Sequence, residues 1–483
     1  MSSNDKYDRQ VRIWGRHGQE KLQNSRVLLL GCDPVGVETL KNLVLPGIGY
    51  VVIIDNKLVT DQDVENNFFI PYDTIGQSRA KVVLENLLEM NIDVKGEWHQ
   101  IDNFNIDGQQ FDLIIANEKQ CLETKFNLIE LQTYGFLGRV RLYSPSCQII
   151  ETKPMNPKYD LRIFNPFQEL KEYFDSIEIE GDVDYVAHIP YIVILYKALQ
   201  KYHKEKGKYP STFQEKHKDF MQVIKSLCGQ LEFQYQGNFY EAIENIDQAF
   251  DNDNWKNCLE QIEIEQNDGE GYKYKFSTLI SALRQFVLIH GAPPLGKAFP
   301  DMKCFTQTYV HLKNNIYGIK VEKDFQIFKD LCQNKVDDET IRLFIENIQE
   351  LKTINFRSIQ QELDQPNQVD DYENDCYIWY ILLRSVNEYY RINTKWPSQN
   401  QDDIQQLKEI VEIQCKLVGV DNVPQSYIQE ICRYEGSKLH MIASVLGGMA
   451  SQEAVKLITN QFVPINNTLI YDGLKSEASI FEF

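Results

Sequence analysis

A glycine-bounded loop at residues 31–36, G-C-D-P-V-G, is the first place where this sequence could do chemistry. It follows an apolar run and precedes a helical pattern, the position at which G-x-G-x-x-G loops hold phosphates with backbone N–H groups. Here Asp33 replaces the middle glycine, and Pro34 follows it. A carboxylate repels phosphate, and proline removes one N–H donor. Gly31 and Gly36 still allow a tight turn and close helix packing, so we predict a strand-to-helix turn that binds no nucleotide.

Asp55 keeps a second hypothesis open. It lies about twenty residues beyond the loop, where nicotinamide-binding folds carry the acid that binds the ribose. An NAD-dependent Rossmann oxidoreductase is therefore an alternative from another class of function. The same Asp33 weakens this alternative.

Cysteine is the other candidate for chemistry. The chain has 10 cysteines, and no two form a C-x-x-C pair, so no zinc site is predicted. A nucleophilic cysteine needs a pKa lowered by a basic neighbour or a helix amino end. Cys228, Cys304 and Cys332 lie in the central region without such a signature, and we interpret them as free thiols. Free thiols and a polar start, MSSNDKYDRQ, predict the cytoplasm or the nucleus.

The amino-acid composition limits the kinds of partner that this chain can bind. The 483 residues are 43 % hydrophobic and 25 % charged, which is typical of a globular chain of two or three domains. The net charge of −20 argues against nucleic acid, since phosphate binding needs a basic surface. No apolar run approaches about 18 residues, so no membrane span is predicted.

Alternating strands and helices must position the loop. Apolar runs predict strands at 26–30, 50–55, 111–116 and 138–143, with helical spacing at 35–45 and 80–91. This order indicates right-handed βαβ units and an α/β, Rossmann-like doubly wound sheet.

The central part of the chain has helical periodicity and few strand-like runs. We predict an α/β domain that is split by a large, mainly helical insert, with bounds 1–165, 166–430 and 431–483. In the last part, small residues along a predicted helix at 437–459 include Gly447 and Gly448. They allow close helix packing, either against this chain's own sheet or at a subunit interface.

The opening stretch 7–15, YDRQVRIWG, resembles the start of the adenylation domains in activating enzymes for ubiquitin-like proteins. Later stretches agree in the same order: 41–49 (KNLVLPGIG), 66–69 (NNFF), 74–80 (TIGQSRA), 133–142 (TYGFLGRVRL), 292–302 (APPLGKAFPDM), 447–453 (GGMASQE) and 466–473 (NNTLIYDG). The resemblance covers nearly the whole chain, although more thinly in the insert. Within the family, the chain is similar in particular to the regulatory subunits of neddylation-activating enzymes.

The resemblance also shows where this chain departs from catalytic members of the family. Their second acid after strand two, the arginine of N-R-Q, the nucleotide lysine and the metal-associated aspartate fall respectively on Lys57, Asn66, Arg79 and near Lys119. Adenylation needs cations around the phosphates and a carboxylate for Mg²⁺. The resemblance therefore implies that this chain binds no cofactor, and that ATP and Mg²⁺ bind to a partner.

The function that the resemblance implies is that of a non-catalytic regulatory subunit. Its partner would be the catalytic subunit of a neddylation-activating enzyme, which adenylates a NEDD-type ubiquitin-like modifier and carries it as a thioester on its own cysteine. A subunit of a SUMO-activating enzyme is an alternative, but it resembles a much shorter chain without the insert. A self-sufficient homodimer would need an intact phosphate loop.

The resemblance assigns one role in trans to Arg9 of the YDRQ motif. In this family, the arginine at that position reaches across the dimer toward the ATP phosphates of the active partner. A guanidinium suits this role because it stabilises developing negative charge without losing a proton. The alternative is that Arg9 pairs with Asp8 at the surface, worth about 0–1 kcal/mol, or caps a nearby helix.

Overall fold

The computed structural model describes residues 6–101, 106, 108–117, 125–145, 147–155, 159–228, 237–250, 254–262, 272–365 and 374–483. The chain forms two compact units, one of Met1–Ile149 with Ile354–Phe483 and one of Ile150–Thr353. The strands are β1 Arg26–Leu30, β2 Tyr50–Ile54, β3 Lys95–His99, β4 Leu113–Asn117, β5 Leu128–Tyr134, β6 Leu137–Tyr143, β7 Cys147–Ile149, β8 Lys352–Ile354, β9 Thr468–Asp472 and β10 Glu477–Phe481.

The α-helices follow in chain order. They are α1 Asp8–Asn24, α2 Pro34–Val44, α3 Asp61–Asn66, α4 Arg79–Glu89, α5 Gln168–Ser176, α6 Val183–Ala187, α7 Tyr191–Lys206, α8 Phe220–Leu227, α9 Gly237–Glu244, α10 Asn254–Gln261, α11 Tyr272–His290, α12 Thr306–Val310, α13 Gly318–Leu331, α14 Asp338–Asn347, α15 Ile359–Asp364, α16 Asp375–Asn393, α17 Gln401–Val418, α18 Gln425–Tyr434 and α19 His440–Thr459. Within the described part of the chain, no helix has both the length and the apolar character that a membrane span requires.

An eight-stranded sheet lies at the centre of the first unit, in the order β10-β9-β6-β5-β4-β1-β2-β3. Neighbouring strands pair in parallel along the part of the sheet β5-β4-β1-β2-β3. Strand β6 pairs antiparallel with β5 and with β9, and β9 pairs antiparallel with β10. Helices α2 and α4 connect parallel strands, as right-handed crossovers require. This doubly wound arrangement confirms the predicted α/β fold class.

The sequence of β1 is almost entirely apolar because both faces of this strand are buried. Val27 and Leu29 belong to a core that includes residues of α2, α4 and α19, whereas Leu28 and Leu30 belong to a second core. Successive side chains of a strand point to opposite faces, so a strand covered on both faces reads as a continuous apolar run.

The division into units differs from the predicted bounds of 1–165, 166–430 and 431–483. The first unit resumes at Ile354 rather than at residue 431. Helices α16 to α18 belong to it because their apolar faces share a core with Tyr134 of β5, Ile470 of β9 and Phe481 of β10. Helical periodicity identifies these segments as helices but does not indicate which core they join.

The second unit contains helices α5 to α14. One of its cores is built around α7, with Phe220 of α8 and Phe239 of α9 among its fully buried members. A second core includes Leu283 of α11, Phe328 of α13 and Phe344 of α14. Each core is formed by the apolar stripes of amphipathic helices.

Candidate functional site

The glycine loop lies at the carboxyl end of β1, beside the point where the strand order reverses between β1 and β4. Gly31 has φ +78°, a conformation that favours glycine, and its N–H donates to the carbonyl of Ile54 at 2.8 Å. A Cβ on Gly36 would lie 2.8 Å from Cδ1 of Leu29, so any other residue there would displace the Leu29 side chain, and the glycine lets α2 pack closely on β1. Ligands of doubly wound folds bind at this reversal point.

Asp33 and Pro34 change what this loop can hold. Asp33 precedes α2, and Pro34 is the first residue of that helix. The Asp33 side chain makes no capping hydrogen bond to α2. Its Oδ2 instead contacts the ammonium of Lys438, while its Oδ1 is buried and has no hydrogen-bond partner among the described residues. A carboxylate therefore lies at the amino end of the helix, where a bound phosphate would need to be.

Both carboxylate oxygens of Asp55, which follows β2, also accept hydrogen bonds within the chain. Oδ2 of Asp55 accepts from the backbone N–H of Cys32 at 2.8 Å and from Nε of Arg79 at 2.7 Å. Its Oδ1 accepts from the N–H of Lys57 at 2.9 Å. Because both oxygens already have partners within the chain, Asp55 is poorly placed to bind a ribose hydroxyl. This geometry argues against the oxidoreductase hypothesis.

Arg79 joins two carboxylates at the start of α4. Its Nη2 lies 2.6 Å from Asp55, and its Nη1 lies 2.6 Å from Asp63. Burial alone would lower the pKa of Arg79, but the two carboxylates outweigh it and the pKa is raised. Burial alone would raise the pKa of Asp63, but hydrogen bonds from Thr60 and Arg79 lower it. Arg79 and Asp63 are therefore charged at neutral pH, and the Arg79 guanidinium binds both carboxylates.

Of the other altered positions, Lys57 meets this ion-pair cluster through its backbone, which bonds to Asp55 and to the N–H of Arg79. Lys57 is exposed after β2, and Asn66 is the partly exposed last residue of α3. Lys119 lies outside the described residues. The roles predicted from the resemblance for these three positions therefore remain predictions.

Sequence reasoning missed two charged residues of the site. Lys438 lies just before α19, and Asp63 is in the first turn of α3. A lone lysine 405 residues from its partner gives no signal in a single sequence. The capping pattern T-x-x-D at Thr60 and Asp63 was readable, and the structure shows this capping box.

These residues do not fit ATP with Mg²⁺. The loop holds a carboxylate, the acid of β2 is bound by Arg79, and Arg79 is itself bound by two acids. A triphosphate would bring several negative charges beside Asp33, and the two cations described at this loop, Lys438 and Arg79, are already paired with carboxylates. We therefore assign no adenylation step to this loop.

The cysteines provide no activated nucleophile within the described part of the chain. Seven of the eight cysteines with described side chains are buried, and Cys304 is partly exposed. Burial raises the pKa of every one of the eight, to about 11 at Cys304. A raised pKa leaves the thiol protonated and unreactive at neutral pH.

Arg9 lies on the exposed side of helix α1, which belongs to the YDRQVRIWG stretch. Tyr7 and Trp14 anchor this stretch: the Tyr7 hydroxyl donates to Asp93 at 3.0 Å, and the Trp14 carbonyl accepts from Gln461 at 2.9 Å. Asp8 pairs with Arg12 at 2.8 Å and not with Arg9. In the described part of the chain, the Arg9 guanidinium has no ion-pair partner, so the surface pair with Asp8 is absent.

The two glycines of α19 have different surroundings. A Cβ on Gly447 would lie 2.7 Å from Cβ of Glu38 and 3.0 Å from the Thr39 nitrogen, so this glycine allows α19 to pack closely on α2. A Cβ on Gly448 would meet nothing within 4 Å. Of the two predicted interface candidates, Gly447 is buried within this chain and only Gly448 is open.

Comparison with known proteins defines the class. The model of the ThiF family matches residues 7–483, and the chain belongs to this family. It is 32 % identical over 530 residues to the NEDD8-activating enzyme E1 regulatory subunit of Danio rerio, covering 100 % of this chain and 99 % of that protein. It is also 32 % identical over 521 residues to the NEDD8-activating enzyme E1 regulatory subunit AXL of Arabidopsis thaliana, covering 97 % of each.

A solved structure of E. coli MccB with succinimide is 20 % identical and covers 30 % of this chain and 49 % of that chain, with a TM-score of 0.26. The assignment does not depend on this partial likeness. The full-length relatives confirm the resemblance that YDRQVRIWG and the later stretches indicated. They favour the regulatory-subunit prediction over a SUMO-activating subunit and over a nicotinamide oxidoreductase.

Proposed function

We propose that this chain is the non-catalytic half of a heterodimer, whose catalytic subunit adenylates a NEDD8-type modifier and forms the thioester. The proposal rests on the two ion pairs at the glycine loop, in which Asp33 is paired with Lys438 and Asp55 with Arg79. A chain that has the adenylation fold but holds its own carboxylates in the nucleotide loop requires a partner for the chemistry. ATP and Mg²⁺ then bind to the partner, and the complex works in the cytoplasm or the nucleus.

The surface of the first unit supports the need for a partner. Phe68 is 79 % exposed, and its ring centroid lies 6.3 Å from that of His440 at the start of α19. Met441 and Val445, one turn apart on α19, are 63 % and 42 % exposed. Exposed apolar side chains that follow one helix face are typical of a surface that another protein covers.

Binding of ATP separates this proposal from its alternatives. We expect the isolated chain to show no saturable binding of ATP·Mg²⁺ in titration calorimetry at micromolar concentrations. Micromolar binding would contradict the proposal and favour a self-sufficient enzyme. Binding of NAD under the same conditions would instead support the oxidoreductase.

The absence of a thioester on this chain is a second expected result. Cys304 is the most accessible of the eight described thiols, and the side chains of Cys121 and Cys258 lie outside the described part. We expect the triple Cys→Ser variant at these positions to leave modifier charging by the heterodimer within about twofold of wild type, since no activated thiol is removed. A nonreducing gel of the charged complex measures this. Loss of charging with normal adenylation would overturn the assignment of the cysteine to the partner.

The open glycine of α19 gives a test of assembly. We expect Gly448→Leu to lower heterodimer yield in co-purification while leaving the melting temperature of the isolated chain nearly unchanged, because a side chain there points into open space. Gly447→Leu is the matched control: it should lower the melting temperature, since overpacking against Glu38 costs about 1–3 kcal/mol. If Gly448→Leu leaves the yield unchanged, this face of α19 does not contact the partner.

A further inference from the structure

We infer that Lys438 and the amino end of α2 form an anion-binding site and that the Asp33 carboxylate occupies it. Asp33 thereby blocks a site that could otherwise bind a phosphate group. The Lys438 ammonium contacts Asp33 Oδ2 directly, and the Asp33 side chain is only 8 % exposed. The inference concerns this chain alone and holds whether or not the proposed heterodimer is correct.

The hydrogen bonds of Asp33 differ from those of an ordinary helix cap. An aspartate that precedes a helix normally accepts from the second or third backbone N–H of that helix. Asp33 makes no such bond, and its Oδ1 is buried without a partner in the described part of the chain. A buried acceptor without a partner is costly. The one strong partner of this carboxylate is therefore Lys438, and the amino end of α2 has no side-chain cap.

Three groups around the loop have the chemistry to bind an anion. Helix α2 has 11 residues, and its amino end carries positive partial charge that attracts anions. On the other side of the loop, a side-chain carbon at Gly31 would meet only Nδ2 of Asn117, at 3.7 Å. An ammonium, a helix amino end and a nearby amide are the donors that bind a phosphate group. Among the described contacts, the Asp33 carboxylate is the anion that the Lys438 ammonium meets.

The local charge explains why the site is closed. Lys438 and Arg79 provide two positive charges, and Asp33, Asp55 and Asp63 provide three negative charges, so the sum is −1. Because Asp55 and Asp63 hold Arg79, Lys438 is the only one of these cations that loss of Asp33 would release. Without Asp33 the sum becomes zero, and the amino end of α2 adds positive potential.

An anion attached to the chain has a large advantage over one in solution. It is present at a high effective concentration and binds without loss of translational freedom. Asp33 therefore keeps the ammonium neutralised in the absence of any nucleotide. It also prevents this subunit from competing for phosphate compounds.

The test uses the full chain and inorganic pyrophosphate as the probe. Asp33→Asn removes the charge and keeps a side chain that can cap α2, and Asp33→Gly restores the glycine of the G-x-G-x-x-G pattern. We expect wild type to show no saturable binding in calorimetry at millimolar pyrophosphate. Both variants should bind it at least roughly tenfold more tightly, as a released ammonium and helix end predict.

The double variant Asp33→Asn with Lys438→Met identifies the cation and should lose this binding. The inference is overturned if Asp33→Asn binds no better than wild type, if the double variant binds as tightly as Asp33→Asn, or if wild type itself binds pyrophosphate. The change in melting temperature on adding pyrophosphate compares each variant with itself, so a loss of stability does not hide the result. A crystal structure of Asp33→Asn with pyrophosphate must place the anion beside Lys438; an anion elsewhere also overturns the inference.

Discussion

Arg9→Ala is expected to slow adenylate formation by the heterodimer roughly 100-fold while leaving heterodimer yield unchanged. The physical reason is that departure of pyrophosphate builds negative charge, and loss of one preorganised donor to such charge costs about 10²–10³ in rate. The structure leaves Arg9 suited to this role, because it is exposed on α1 while Asp8 is paired with Arg12. ATP–pyrophosphate exchange at limiting ATP and saturating modifier measures the effect.

Arg16→Ala is the matched control for Arg9. It removes an equally charged, exposed side chain from the same helix, but beyond the turn at Gly15, where φ is +73°. We expect exchange by this variant to stay within about twofold of wild type, as for most surface substitutions. If Arg9→Ala and Arg16→Ala behave alike, Arg9 contributes only general charge and has no specific role toward the ATP of the partner.

Arg79→Met is expected to destabilise the first unit by about 3–5 kcal/mol, because it leaves buried Asp55 without its ion-pair partner. Arg79 and Asp55 are 9 % and 6 % exposed, so water cannot replace the lost interaction. Hydrogen exchange of the β1 and β2 amides measures the free energy of opening of this unit. We expect these amides to exchange at least roughly 100-fold faster, since each 1.4 kcal/mol is tenfold.

Lys57→Met controls for the loss of one positive charge near the same strand end. Lys57 is exposed, and only its backbone N–H bonds to Asp55. Its substitution should change the free energy of opening by no more than about 0.5 kcal/mol. Equal exchange rates in Arg79→Met and wild type would show that the Arg79 pairs do not stabilise the loop.

Much of the fold could be predicted because its signals are local. The apolar runs at 26–30 and 50–55 coincide with β1 and β2, and the helical pattern at 437–459 contains α19. Strand β3 was missed because it lies at the edge of the sheet, where KGEWH is half exposed and has no apolar run. An edge strand is paired on one side only, and its sequence is correspondingly less apolar.

The sequence by itself determined the fold class, the family and the loss of the G-x-G-x-x-G pattern at Asp33 and Pro34. Those features depend on residues within about a dozen positions of one another, so periodicity and motifs record them. Only the tertiary structure decided that Lys438 neutralises Asp33, that Asp63 shares Arg79, and that Gly447 is buried while Gly448 is open. The Asp33–Lys438 pair and the close fit at Gly447 form when the return segment packs α19 onto α2, which brings together residues about 400 positions apart. The Asp63–Arg79 pair joins two helices through residues 16 positions apart, and no local pattern encodes either contact.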